Sequence, residues 1–228
     1  MKLLRKIFNY WEEDKGKSFR INSQVVEHWF DKTQSLVFSE ESAKEEELII
    51  KKLILNDSNT KILDLGCGDG RYAKIFLHNV KKYIGVDISN NFITKNKEHI
   101  KSSKLEFYHL AAHLFTYSEK FDYILMIGLL TYMNDDEINQ MCHNCSKMLK
   151  EDGKIIVRNV VNNEEKRKYF DDKYFFLKHI FKSPRYQIIR RTEKEVVEVF
   201  TKEFKLLKTE NIQNTAYRVY VWTKSPNA

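Results

Sequence analysis

A chain of 228 residues, 42% hydrophobic and 31% charged, has room for one α/β core with a covering element and too little for two large independent domains. No apolar run approaches the roughly 20 residues that cross a bilayer, and the start Met1-Lys2-Leu3-Leu4-Arg5-Lys6-Ile7-Phe8 has neither an extended apolar stretch nor a small-residue cleavage site, so a cytoplasmic protein is expected. The net charge of +7 is uneven: residues 151–228 carry 17 Lys+Arg against 11 Asp+Glu, so the basic excess needs an explanation in the C-terminal third.

Residues 1–58 read as a helical cover. They include a helix from Glu40 to Ile54 that is acidic at its start and carries Lys51 and Lys52 near its end, as the helix dipole favours. From residue 59 onward, short runs rich in Ile, Val, Tyr and Phe alternate with helical periodicity. The strands are placed at 61–65, 82–87, 105–109, 121–127, 154–159, 204–210 and 216–223. The last two are too close for a helical crossover and must pair antiparallel. The expected domain is a doubly wound, Rossmann-like seven-stranded sheet over 59–228, with one reversed strand in a C-terminal hairpin and a lid insertion at 160–191.

The first strand, ending in Asp64-Leu65, runs straight into Gly66-Cys67-Gly68-Asp69-Gly70 and then into a helical stretch from Arg71. Alternate glycines let the backbone turn sharply and admit a ligand without Cβ clashes, with the amides of the following turn facing it. The second strand ends at Asp87, about 20 residues on, where a carboxylate can accept hydrogen bonds from both hydroxyls of a ribose. A nucleotide-like cofactor is implied.

The phase of the glycines differs from the dinucleotide pattern, because Arg71 stands where a third glycine would be needed and the acid Asp64 precedes the first glycine by two. The run from Asp64 through Gly70 resembles motif I of the class I S-adenosylmethionine-dependent methyltransferases, and Asp87 resembles their acidic motif II residue. The resemblance continues through Phe121-Asp122-Tyr123-Ile124-Leu125-Met126 and Met148-Leu149-Lys150-Glu151-Asp152-Gly153, and covers about residues 55–225. It implies S-adenosylmethionine as cofactor. Gly66, Cys67, Gly68, Asp69 and Gly70 would meet its methionine portion and ribose, Asp87 the ribose hydroxyls and Ile88 one adenine face. Met126 to Gly128 would meet the sulfonium side, with Asp64 acting electrostatically. After the third strand the family's usual polar pair is replaced by His109-Leu110-Ala111-Ala112-His113, which leaves backbone amides of Ala111 and Ala112 for adenine.

An activated methyl group asks the protein chiefly for alignment and exclusion of water, and a hydroxyl acceptor adds a use for a general base. At the expected mouth stand Tyr132, Arg158, and His28 or Asp31 from the N-terminal cover. Tyr132 and His28 are the catalytic candidates, and Arg158, Arg190 and Arg191 the acceptor-binding ones; each also has a plain reading as wall, helix packing or surface charge. Asn134-Asp135-Asp136-Glu137 reads as a helix start in preference to a metal cluster, and Thr192-Glu193-Lys194-Glu195 as a capping box. Cys142 and Cys145 look like half of a zinc site but share helical spacing with Ile138, Met141, Met148 and Leu149, which makes them core residues, and no metal is expected.

Between 166 and 191 nine basic residues interleave with Tyr169, Phe170, Tyr174, Phe175, Phe176, Phe181 and Tyr186. Two readings stand. One is a lid whose positive potential draws a small anionic acceptor, such as a phosphorylated metabolite, a nucleotide-sugar or a surface-polysaccharide precursor; the other is a solvated amphipathic helix pair. The first gives methyl transfer to O or N of a small molecule. The alternatives are transfer RNA methylation through the same basic patch and a non-catalytic cofactor-binding partner module. Base methylation through an Asn/Asp-Pro-Pro loop is excluded by Gly128-Leu129-Leu130-Thr131-Tyr132, and cytosine C5 chemistry by the absence of any Pro-Cys pair.

Overall fold

A computed structural model of the chain describes residues 40–55, 57–162, 165–171 and 187–225. The expected helices before residue 40, with His28 and Asp31, and residues 172–186 of the insertion lie outside the described residues. The elements are α1 (Glu40–Leu53), β1 (Lys61–Leu65), α2 (Arg71–Phe76), β2 (Lys82–Asp87), α3 (Asn90–His99), β3 (Leu105–His109), β4 (Phe121–Ile127), α4 (Asp135–Met148), β5 (Leu149–Val160), β6 (Lys168–Asp171), β7 (Gln187–Arg190), α5 (Glu193–Phe200), β8 (Phe204–Asn211) and β9 (Tyr217–Lys224).

Seven strands form one sheet in the order β3-β2-β1-β4-β5-β9-β8. β1 to β5 are mutually parallel, and β9 runs antiparallel to both β5 and β8. The reversed strand is therefore the last one, inserted between β5 and β8. β1 and β4 are neighbours whose onward connections leave in opposite directions, which opens a crevice at their carboxyl ends.

The central strands are buried on both faces. Ile62, Tyr83, Tyr123, Leu125 and Ile156 share one apolar cluster with Ile50 of α1, Tyr72, Ala73 and Phe76 of α2 and Ile93 of α3. Leu63, Leu65, Ile84, Val86, Ile124, Met126, Ile155 and Val157 share the other with α4 and α5. Ile138, Met141, Cys142, Cys145 and Met148 form the buried stripe of α4, with both thiols pushed up by burial and unreactive. Asn134 caps α4 and Thr192 caps α5, each in a reciprocal capping box, with Glu137 and Glu195 respectively.

Two features differ from expectation. β5 begins at Leu149, five residues before the expected start, because Leu149 pairs with Phe121 before the register shifts and Lys154 pairs with Tyr123. Gly153 permits that kink, since a Cβ there would lie 2.8 Å from the Leu149 side chain. The described part of the insertion is an antiparallel ribbon, β6 against β7, whereas one of the two readings of the segment was an amphipathic helix pair. Among the described residues no helix is long and apolar enough to cross a membrane.

Candidate active site

The turn after β1 is held by the strand beside it. The amides of Gly66 and Cys67 both donate to the carbonyl of Val86, at 2.8 and 3.0 Å, and the amide of Gly70 returns to the carbonyl of Cys67. Gly66, Gly68 and Gly70 all have positive φ, the left-handed backbone that costs an L-residue with a side chain 1–2 kcal/mol or so. Gly70 also has no room, because a Cβ would meet Ile100 at 2.6 Å and Asn96 at 2.9 Å. At Gly68 the reason is different: a Cβ there would meet nothing within 4 Å. The glycine faces open space, and a side chain would fill the cradle that a ligand needs.

Asp87 closes the rim of that cradle. Its carboxylate accepts from the amide of Gly68 at 2.9 Å and from that of Ser89 at 2.8 Å. Burial pushes its carboxyl above the usual range, while these two amides and the field of His109 pull the other way. Asn96 of α3 donates to the carbonyl of Gly68 and pins the turn from outside. Beyond Asp87 the surface turns apolar and open: Ile88 and Leu110 are exposed hydrophobics, and the amide of Leu110 donates to the carbonyl of Asp87. Ala111 and Ala112 follow at the start of a short turn of helix (Ala112–Leu114), both half-buried.

Asp64 lies beneath the turn, 1% exposed, accepting from the Tyr83 hydroxyl at 2.5 Å. Cys67 is buried beside it, its thiol pushed up by burial and by the fields of Asp64 and Asp87. Asp69 is exposed and accepts from the Arg71 amide. Gly85, opposite Asp64 in the neighbouring strand, has no room for a side chain against the Phe107 ring and Cys67. Met126 departs from what the resemblance implied: its side chain is fully buried in the cluster under α4 and α5, so β4 presents Ile127 and Gly128 at the mouth. Gly128 has positive φ, and a Cβ on it would come within 3.0 Å of the Arg158 guanidinium.

On the far side of Gly128 five groups from five segments converge. Burial pushes the Tyr217 phenol up; Arg158 and Arg190 lower it and Tyr132 and Glu46 raise it, so all four lie within its electrostatic reach. The Arg158 guanidinium sits over the Tyr217 ring at 4.8 Å and pairs with the fully buried Glu46 at 2.6 Å. Glu46 also takes Arg71 and the Tyr72 hydroxyl. Tyr132, Arg158 and Arg190 were legible as candidates. Tyr217 and Glu46 were not: one is a strand residue of the hairpin and the other lies in a run of glutamates whose burial no local pattern marks.

Arg191 corrects the expectation of an acceptor contact. It is 0% exposed, and its guanidinium donates to the carbonyls of Leu130 and Met133, both at 2.8 Å, and to Asp135. It clamps the segment carrying Tyr132. Arg167, at the root of the insertion, pairs with both Asp135 and Glu195 and ties β6 to the starts of α4 and α5.

A switch-point crevice with an open glycine turn and a carboxylate at its rim is an arrangement able to receive a nucleotide-like group. Residues 62–153 match the family model described as a methyltransferase domain. The chain is similar to a ubiquinone biosynthesis O-methyltransferase of Pelagibacter ubique (32% identity over 101 residues, 43% of this chain and 41% of that protein) and to one of Glaesserella parasuis (28% over 109 residues, 44% and 45%). It spans less than half the length of these curated relatives. In fold it is similar to an S-adenosylmethionine-dependent methyltransferase structure from Listeria monocytogenes (TM-score 0.66, 16% identity, 82% of this chain and 100% of that one). It is likewise similar to the Burkholderia thailandensis 1,6-didemethyltoxoflavin-N1-methyltransferase with bound S-adenosylhomocysteine (TM-score 0.67, 16% identity, 93% and 90%).

Proposed function

We propose that the chain transfers the methyl group of S-adenosylmethionine to an O or N atom of a small anionic acceptor. The observation that supports this most is the open cradle at Gly68, set between the buried acid Asp64 and the rim acid Asp87 at the carboxyl ends of β1 and β2. The cofactor supplies a methyl group already activated by its positive sulfur. Asp87 would orient the ribose through two charge-assisted hydrogen bonds, and Ile88 and Leu110 would flank the adenine. Gly128, whose missing Cβ leaves room for the Arg158 guanidinium, would let that side chain stand beside the approach to the methyl group. In this reading Arg158, Arg190, Tyr132 and Tyr217 would meet the acceptor, and two guanidiniums with two aromatic rings suit a planar or phosphorylated anion. Alignment by these walls and removal of water supply the rate, as an in-line displacement requires.

The test is transfer of tritium from methyl-labelled S-adenosylmethionine to a panel of phosphorylated metabolites, nucleotide-sugars and carboxylated phenols, with transfer RNA in parallel. Labelled small anions and unlabelled RNA are expected. Label confined to RNA, or to neutral acceptors, contradicts the acceptor class.

A further inference from the structure

Among the described residues three carboxylates are buried around the site, and their surroundings differ. Glu46 is met by two guanidiniums, Arg71 and Arg158. Asp87 is met by two backbone amides. Asp64, buried as deeply as these, is met by the neutral hydroxyl of Tyr83. A carboxylate taken out of water needs a cation or several donors to stay ionised. Asp64 is the one of the three with neither a paired guanidinium nor a second donor, and it stands next to the last residue of the strand that leads into the glycine turn.

We propose that the Asp64 and Tyr83 pair distinguishes the cationic donor from the neutral product: Asp64 ionises when the sulfonium binds and takes its proton back once the methyl group has gone. The inference rests on the functional reading above and deepens it.

The charged and titratable groups around Asp64 can be named element by element. Tyr83 of β2 donates to it, and Asp87 at the end of β2 and Asp69 in the turn oppose its ionisation. Arg71 of α2 favours ionisation from beyond Glu46. Cys67 is a thiol held neutral by burial, and the facing residue of β4 is Leu125, which carries no charge. Burial dominates and lifts the Asp64 carboxyl to about 7, so near neutral pH the two forms are close in population. A cation over the turn then costs little to install, because it draws the proton off. When the methyl group leaves, the S–C electron pair stays on sulfur, the product carries no sulfonium charge, and the reason for Asp64 to remain ionised is gone. Donor is retained and product released by the same residue.

The experiment is calorimetric titration of the whole chain with S-adenosylmethionine and, separately, with S-adenosylhomocysteine from pH 5.5 to 7.5, in buffers of different ionisation enthalpy. The ratio of donor to product affinity is expected to rise about tenfold or more across that range, and donor binding near pH 7 to release roughly half a proton. Asp64→Asn should flatten the ratio and remove the proton release. Tyr83→Phe, which takes away the one hydroxyl that favours the ionised form, should move the midpoint of the rise to higher pH. A ratio that stays flat in the unaltered chain, or a slope that survives Asp64→Asn, overturns the inference while leaving the methyltransferase reading intact. Binding of neither compound at any pH overturns both.

Discussion

Asp87→Ala is expected to weaken S-adenosylhomocysteine binding by ~100-fold or more without abolishing cooperative folding. Two charge-assisted hydrogen bonds to a ribose, at roughly 1.5–3 kcal/mol each, set the size of the loss. The substitution also releases the amides of Gly68 and Ser89 from their acceptor, which loosens the turn that the ligand must meet. The fold survives because the turn keeps its bonds to Val86 and its pin from Asn96, and because Asp87 sits at the end of β2, outside both apolar clusters. Calorimetric titration with thermal melting alongside separates the two effects. An unchanged dissociation constant would remove Asp87 from the cofactor site.

Arg191→Ala is expected to be the more damaging substitution for stability. It strips the carbonyls of Leu130 and Met133 of their donor and leaves Asp135 with Arg167 alone. Leaving two buried carbonyls without their charged donor costs ~3–5 kcal/mol in all, at roughly 1–3 kcal/mol each. In a chain of this size that lowers the melting midpoint by roughly 10 °C at 2–4 °C per kcal/mol. The same network gives an acid limb. Although burial opposes it, Arg167 and Arg191 hold the Asp135 carboxyl below its ordinary range. Its contribution is therefore present above the unfolded carboxylate range near pH 4 and lost as the pH falls through the lower folded value. Scanning calorimetry of Arg191→Ala at pH 7 should show the drop, and a shift of under about 2 °C would mean that the guanidinium is not the clamp it looks to be.

The sheet could be read from the sequence because every strand from β1 to β4 is a short apolar run bounded by its own turn residues, and the hairpin followed from a gap too short for a crossover. The glycine turn and Asp87 were legible for a related reason: backbone constraint and a fixed spacing leave marks on residue type. The start of β5 was missed because a bulge at Gly153 lets Leu149 pair early, and nothing local to Lys150 or Glu151 signals that. Arg191 and Glu46 show the limit most clearly. A charged side chain reads as surface from sequence, and only the fold reveals that Leu130 and Met133 offer carbonyls to one, or that two arginines from α2 and β5 close over the other. The basic count of the last third splits accordingly, with Arg167 and Arg191 committed to ion pairs that hold the fold and Arg190 within electrostatic reach of Tyr217.

The turn at Gly68, flanked by Asp64 and Asp87, is expected to hold an adenosyl cofactor. Titration of the folded chain with S-adenosylhomocysteine measures that binding most directly. A saturable isotherm with one site per chain and a dissociation constant of roughly 1–100 μM is the result the geometry predicts. No saturable heat up to millimolar concentration, on protein whose melting is cooperative, would contradict it.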